Sequence, residues 1–201
     1  MSEKGVCGNC MTNEAKWMCV ECLRKYCSPS CRVESWKNGD CDCQDAIRAP
    51  VDGLVTHVDR SRGTITVYVS PEDSHEILSP VTGKVVGLDT VEGTWIRPGV
   101  FNVPDQTKTG RLVVKMETRR GRRMVEFWIE VGHGRYITDT VLFRPGVGDE
   151  SESGRRVGEI VIGSLYEMHL DPDAEIVVGV NQRVRAGSTL LAFHTIAEPR
   201  F

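Results

Sequence analysis

All eight cysteines of this 201-residue chain lie between Cys7 and Cys43, and none follows. They fall in four close pairs, Cys7-x-x-Cys10, Cys19-x-x-Cys22, Cys27-x-x-x-Cys31 and Cys41-x-Cys43. A stretch this short cannot hold itself together by burying apolar side chains alone. Pairs at this spacing suit tetrahedral thiolate sites better than disulfide bridges, and four pairs suit two zinc ions. Thiols used in this way belong in a reducing compartment. The first ten residues, MSEKGVCGNC, contain no apolar signal-peptide core, and no apolar run approaches the ~18 residues of a membrane span. The expectation is a soluble, cytoplasmic protein, with a peripheral membrane contact left open. A net charge of -3 and a pI near 6.0 argue against non-specific binding of the whole chain to nucleic acid or acidic membrane, and no specific nucleic-acid partner is expected.

From Ile47 the pattern changes to short β-type runs separated by Gly, Pro and Asp, at 54–58, 64–69, 84–88, 112–116, 125–131, 159–162, 175–180 and 189–193. Many short runs at this spacing predict an all-β barrel or sandwich, and helical periodicity is weak throughout. The chain therefore divides into residues 1–46, a small cysteine-rich zinc-binding module, and residues 47–201, a mostly β domain.

Within the β domain the run GDESESGRRVGEIVIGS, residues 148–164, ends on Gly163-Ser164. A serine hydroxyl that follows glycine can attack the preceding carbonyl with little hindrance, because glycine lacks a Cβ and tolerates the distorted backbone the attack requires. The acyl group then moves from nitrogen to oxygen. Elimination from that ester would release the upstream chain as a carboxylate and leave dehydroalanine at residue 164, which water would convert to a pyruvoyl group with loss of ammonia. Taken alone, Gly-Ser is a common turn dipeptide. Gly187-Ser188-Thr189 offers a second such site, but only thirteen residues follow Ser188, too few to complete the fold after a cut.

The flanking residues carry a resemblance. Gly148-Asp149, Gly154, Gly158, Ile160 and Ile162-Gly163-Ser164 fall in the register of the phosphatidylserine decarboxylase proenzymes, above all their short form, with Ile162 in place of phenylalanine. The likeness runs from about Ala49 to Phe193. It includes Pro50, Asp52 and Gly53 of a Pro-x-Asp-Gly turn, and Asp73, His75, Pro80, Val81 and Gly83 without a gap. Further on, the stretches around Phe101 and Arg135 match more loosely.

The resemblance implies a β barrel or sandwich of phosphatidylserine decarboxylase type that cuts itself between Gly163 and Ser164. It further implies a pyruvoyl group from Ser164, with Asp52 and His75 assisting the cut. The ketone would condense with a substrate amine and accept the electrons released as carbon dioxide leaves, the electron-sink role of a pyridoxal cofactor. His75 or a water would return the proton. Arg135 would anchor an anion, and Phe101 would lie by the substrate. Leu78 stands where long-form relatives carry a second histidine, so His75 must serve twice or Asp52 act alone. The family's Asn-Glu-Arg is replaced by Gly110-Arg111-Leu112. No hydrophobic anchor precedes the domain, so a small serine-bearing substrate stays open beside phosphatidylserine.

The cysteine pairs, with Tyr26-Cys27-Ser28, resemble the MYND and HIT zinc fingers. That likeness implies a cross-brace in which Cys7, Cys10, Cys27 and Cys31 hold one zinc and Cys19, Cys22, Cys41 and Cys43 the other, with Cys41 in place of the usual histidine. Closed sites of this kind are structural, so recognition of a protein partner is the implied use. Trp17 and Trp36 are expected to cover the metal sites. The basic run Arg119-Arg120-Gly121-Arg122-Arg123 reads as a hairpin turn, with contact to anionic lipid as the alternative. The competing function is a non-catalytic zinc-finger adaptor whose β domain has lost the reaction.

Overall fold

The computed structural model describes residues 17–18, 25–26, 46–93, 108–118, 124–130, 141–161, 165–172 and 174–194. Among them the chain forms sixteen β-strands and no helix. The largest sheet contains β4 (Gly53–Asp59), β5 (Thr64–Tyr68), β7 (Gly83–Val91), β8 (Arg111–Thr118), β9 (Met124–Glu130), β11 (Glu150–Ser151), β13 (Leu165–Leu170) and β15 (Arg183–Val184). Its order is β11-β7-β8-β9-β13-β5-β4-β15, and every pairing is antiparallel.

Period-two alternation decides which face of this sheet is buried. Leu112, Val114 and Met116 of β8, Val125, Phe127 and Ile129 of β9, and Tyr166, Met168 and Leu170 of β13 all point into one core. The residues between them form the other face, where cross-strand pairs of this kind contribute roughly 0.2–1 kcal/mol each. There Arg111 lies 4.5 Å from the Trp128 ring, Trp128 packs on His169 at 4.0 Å, and Thr66 donates to Glu167 at 3.1 Å.

Two smaller antiparallel sheets add to the same core. β6 (Glu76–Leu78), β10 (Val141–Phe143) and β12 (Arg156–Ile160) run in the order β10-β12-β6, and β3 (Ala46–Arg48), β14 (Glu175–Ile176) and β16 (Leu190–Phe193) in the order β14-β16-β3. Ile77, Val141 and Ile160 of the first, and Ile47, Ile176 and Ala192 of the second, join the residues of the main sheet. Register shifts at Val55/His57 and Val85/Gly87 bend the main sheet, since a bulge raises local twist. Among the described residues the curled sheet remains open, with β11 at one edge and β15 at the other, so the expected barrel is a half barrel. In the first unit, β1 (Trp17–Met18) pairs antiparallel with β2 (Lys25–Tyr26), Trp17 opposite Tyr26.

Candidate active site

Register brings the sequence motifs to one end of the eight-stranded sheet. Tyr68, at the end of β5, lies opposite Leu54 on one side and Leu165 on the other. Leu54 follows Asp52 by two residues, and Leu165 is bonded directly to Ser164. With neighbouring strands about 4.8 Å apart, Leu54 and Leu165 are roughly 10 Å from each other, and Ser164 is one peptide unit, about 3.8 Å, from Leu165. β9 ends and β8 begins at this same end, because Ile129 is opposite Tyr166 and Arg111 opposite Glu130. The connections carrying Phe101, before β8, and Arg135, after β9, therefore attach at this end. The basic run 119–123 joins β8 to β9 as a hairpin at the opposite end, about 20 Å away along seven residues of strand.

His75 is held beside the strand that leads to Gly163-Ser164. The amide of Ile160 donates to the His75 carbonyl at 2.8 Å, extending the pairing of Glu159 with Glu76 by one step. Its ring is half-buried, with Nε2 3.2 Å from the Ser70 carbonyl oxygen. A carbonyl oxygen only accepts, so Nε2 carries the proton in this contact, and in a neutral ring Nδ1 is the nitrogen left to accept one. Asp73 does not orient this imidazole. It caps the turn through the Ser70 amide at 2.9 Å and pairs with Arg183.

Asp52 is half-buried, and its Oδ1 accepts the Ala186 amide at 2.7 Å. The following Gly53 must be glycine, because a Cβ there would collide with the Tyr68 carbonyl oxygen of the neighbouring strand. Leu78 donates its amide to the Pro50 carbonyl at 2.8 Å, so the start of β4 and the end of β6 are tied together. Asp52 and His75 thus stand on segments that the fold draws to one place. Gly163, Ser164, Phe101 and Arg135 lie outside the described residues, as do all eight cysteines. Among the described residues no cluster of His, Cys, Asp and Glu is arranged to hold a metal.

Two features of this end escape the sequence motifs. One is β13 itself, which begins one residue after Ser164 and runs through the middle of the main sheet. The other is the turn 185–189, whose Ala186 amide binds Asp52; no local pattern joins residues 134 positions apart.

The phosphatidylserine decarboxylase family model matches residues 32–192. The chain belongs to the phosphatidylserine decarboxylase family. The match begins well before Ala49 and takes in Cys41 and Cys43. Among its relatives, a phosphatidylserine decarboxylase proenzyme of Syntrophotalea carbinolica is 30% identical over 162 residues, 76% of this chain and 73% of the relative. One from Thermobifida fusca is 33% identical over 147 residues, 70% of this chain and 62% of the relative. A third, from Mycobacterium marinum, is 29% identical over 163 residues, covering 73% and 64%. The chain thus spans between 62% and 73% of the length of these relatives. The family is one of carboxy-lyases, and relatives named proenzymes are made as precursors.

Proposed function

We propose that this chain is a precursor that cuts itself between Gly163 and Ser164 and, carrying a pyruvoyl group at residue 164, decarboxylates phosphatidylserine. The observation that carries the reading is the convergence of Asp52, His75 and the segment leading to Ser164 at one end of the sheet, in a chain of this family. The residues present fit such a group. Leu165 is fully buried and paired on β5, so a new chain end at residue 164 would be anchored one residue from the core. When formed, the pyruvoyl supplies an electron sink for the pair released as carbon dioxide departs. The chain's own residues do the rest. Serine is a poor nucleophile at neutral pH and needs a proton acceptor, for which Asp52 and the Nδ1 of His75 are the candidates. Arg135 and Phe101 are proposed to hold the substrate's anionic and apolar parts.

The first unit is proposed to bind two structural zinc ions through its eight cysteines and to present a surface to a protein partner. The Trp17–Met18 and Lys25–Tyr26 hairpin supports this, since the six residues between its strands include Cys19 and Cys22. A cytoplasmic protein in peripheral contact with a membrane fits a lipid substrate. The basic run 119–123 is a poor anchor for that contact, because β8 and β9, which it joins, meet it at the end of the sheet remote from Ser164.

Intact mass under denaturing conditions tests the proposal. Two chains are expected, 1–163 and a 38-residue chain 164–201 blocked by pyruvoyl, and Ser164→Ala should leave one. A cut at Gly187-Ser188 would move the site. A chain that stays whole at neutral pH, with no decarboxylation of phosphatidylserine, would favour the zinc-finger adaptor.

A further inference from the structure

We infer that the turn 185–189 positions Asp52 for the cut, through the main-chain amide of Ala186; this rests on the self-cutting reading above. The Asp52 carboxylate takes one hydrogen bond from the described residues, from Ala186 to Oδ1 at 2.7 Å. With one oxygen fixed by a main-chain donor, the plane of the carboxylate is set and Oδ2 faces in one direction. An acid or base held this way acts on a neighbouring hydroxyl with far less loss than one free to turn.

The donor is rigid because the turn is bound at both ends and to its neighbour. Arg185 donates its amide to Thr189 Oγ1 at 2.8 Å, while its carbonyl accepts the amides of Ser188 at 3.2 Å and Thr189 at 2.9 Å. Gly187 sits at φ +69°, a conformation side chains rarely adopt. Its amide donates to the Ala49 carbonyl, and the Ala49 amide donates to the Thr189 carbonyl, both at 2.8 Å. That reciprocal pair ties the turn to the chain three residues before Asp52. Leu78 closes the arrangement from the side, its Cδ1 3.0 Å from where a Cβ on Gly187 would lie. Gly187-Ser188-Thr189 is therefore the holder of a site residue and not a second cutting site.

Thr189 is the residue through which the turn can be loosened without touching Asp52. Thr189→Val keeps the shape and removes the oxygen that accepts the Arg185 amide. Cutting at Gly163-Ser164, followed by intact mass after synthesis, should slow about ten-fold or more, while the thermal midpoint stays within about 4 °C of the parent. Thr189→Ser, which keeps the oxygen, should cut within about three-fold of the parent rate. Equal rates for parent and Thr189→Val overturn the inference, as does a Thr189→Ser chain as slow as Thr189→Val. The contact itself is read separately in uncut Ser164→Ala protein, where adding Asp52→Ala should speed hydrogen exchange at the Ala186 amide about ten-fold or more. Unchanged exchange also overturns it. A parent that never cuts overturns the proposed function and with it the role in cutting, and the exchange result then decides whether the hold exists.

Discussion

Replacing Tyr166 by phenylalanine is expected to make the protein more stable. Tyr166 is fully buried, two residues beyond Ser164, and stacks on Phe127 with ring centroids 5.3 Å apart and planes at 21°. Its hydroxyl has no hydrogen-bond partner among the described residues. A buried hydroxyl without a partner costs roughly 1–3 kcal/mol. Phenylalanine keeps the stack and removes that cost, losing only the contacts of one oxygen. The net gain is about 1 kcal/mol, or about 2–4 °C in thermal midpoint for a domain of this size. The effect should grow in alkali. Burial holds the phenol well above its ordinary 10.0, so below that pH both folded and unfolded chains keep the proton. Above it the unfolded chain releases the proton and the folded chain does not, so the parent loses stability with rising pH by up to about 1.4 kcal/mol per unit. The Tyr166→Phe advantage should widen at that slope. Urea unfolding at pH 7 and near pH 11 measures both quantities, with Ser164→Ala in each protein so that a single chain unfolds. A variant about 1 kcal/mol less stable at pH 7, or an advantage that stays flat above pH 10, would refute the reasoning by showing that the hydroxyl has a partner.

Two further outcomes are expected. Metal analysis of reduced protein should find two zinc ions per chain. Chelation should unfold residues 1–46 while leaving the β domain's circular dichroism unchanged, since structural zinc sites of this kind contribute about 10–16 kcal/mol of folding free energy. At the β4–β5 turn, Asp59 is held below its ordinary range by the Ser61 hydroxyl, with help from the Arg62 and Ser61 amides. A carboxyl whose folded pKa is lowered stabilises the protein above its unfolded value near 3.8, and that contribution disappears as pH falls through the folded value. Asp59→Asn should therefore melt lower than the parent at pH 7, and the two melting curves should approach each other below about pH 4.

The strands that alternate strongly are legible in the sequence. The runs at 54–58, 64–69, 84–88, 112–116 and 125–131 correspond to β4, β5, β7, β8 and β9, where apolar residues such as Val55, Ile65 and Val67, Val85, Leu112, Val114 and Met116, and Val125, Phe127 and Ile129 supply the buried face. β13 is harder to read, although it is central to the main sheet. Its sequence, Leu-Tyr-Glu-Met-His-Leu, contains no β-branched residue, and Glu167 and His169 make it read as polar. The usable signal is the period itself, Tyr166, Met168 and Leu170 alternating with Glu167 and His169. The run at 175–180 departs the other way, forming a strand only at Glu175–Ile176. Beyond it Val178 is buried and its carbonyl accepts from Arg60, while Val180 is exposed. Asp52 and His75 are legible as motif residues, but their partners are not. A local pattern can identify a carboxylate; it cannot say which distant amide will bind it.

The position of β13 bears on what a cut can do. The strand lies between β9 and β5, paired over five residues with each, and its side chains fill the core between them. The same smaller chain would contribute β15 against β4, and β14 and β16, with β16 against β3. Its 38 residues would therefore reach two sheets built otherwise from the larger chain. Breaking the bond before Ser164 would sever none of these pairings, so a cut there would free an end without freeing a fragment. Asp52 and His75 would belong to the larger chain, the new end and the Ala186 amide to the smaller. A site divided in this way would require both chains, and their interleaving would keep it assembled after the bond that made them one chain is gone.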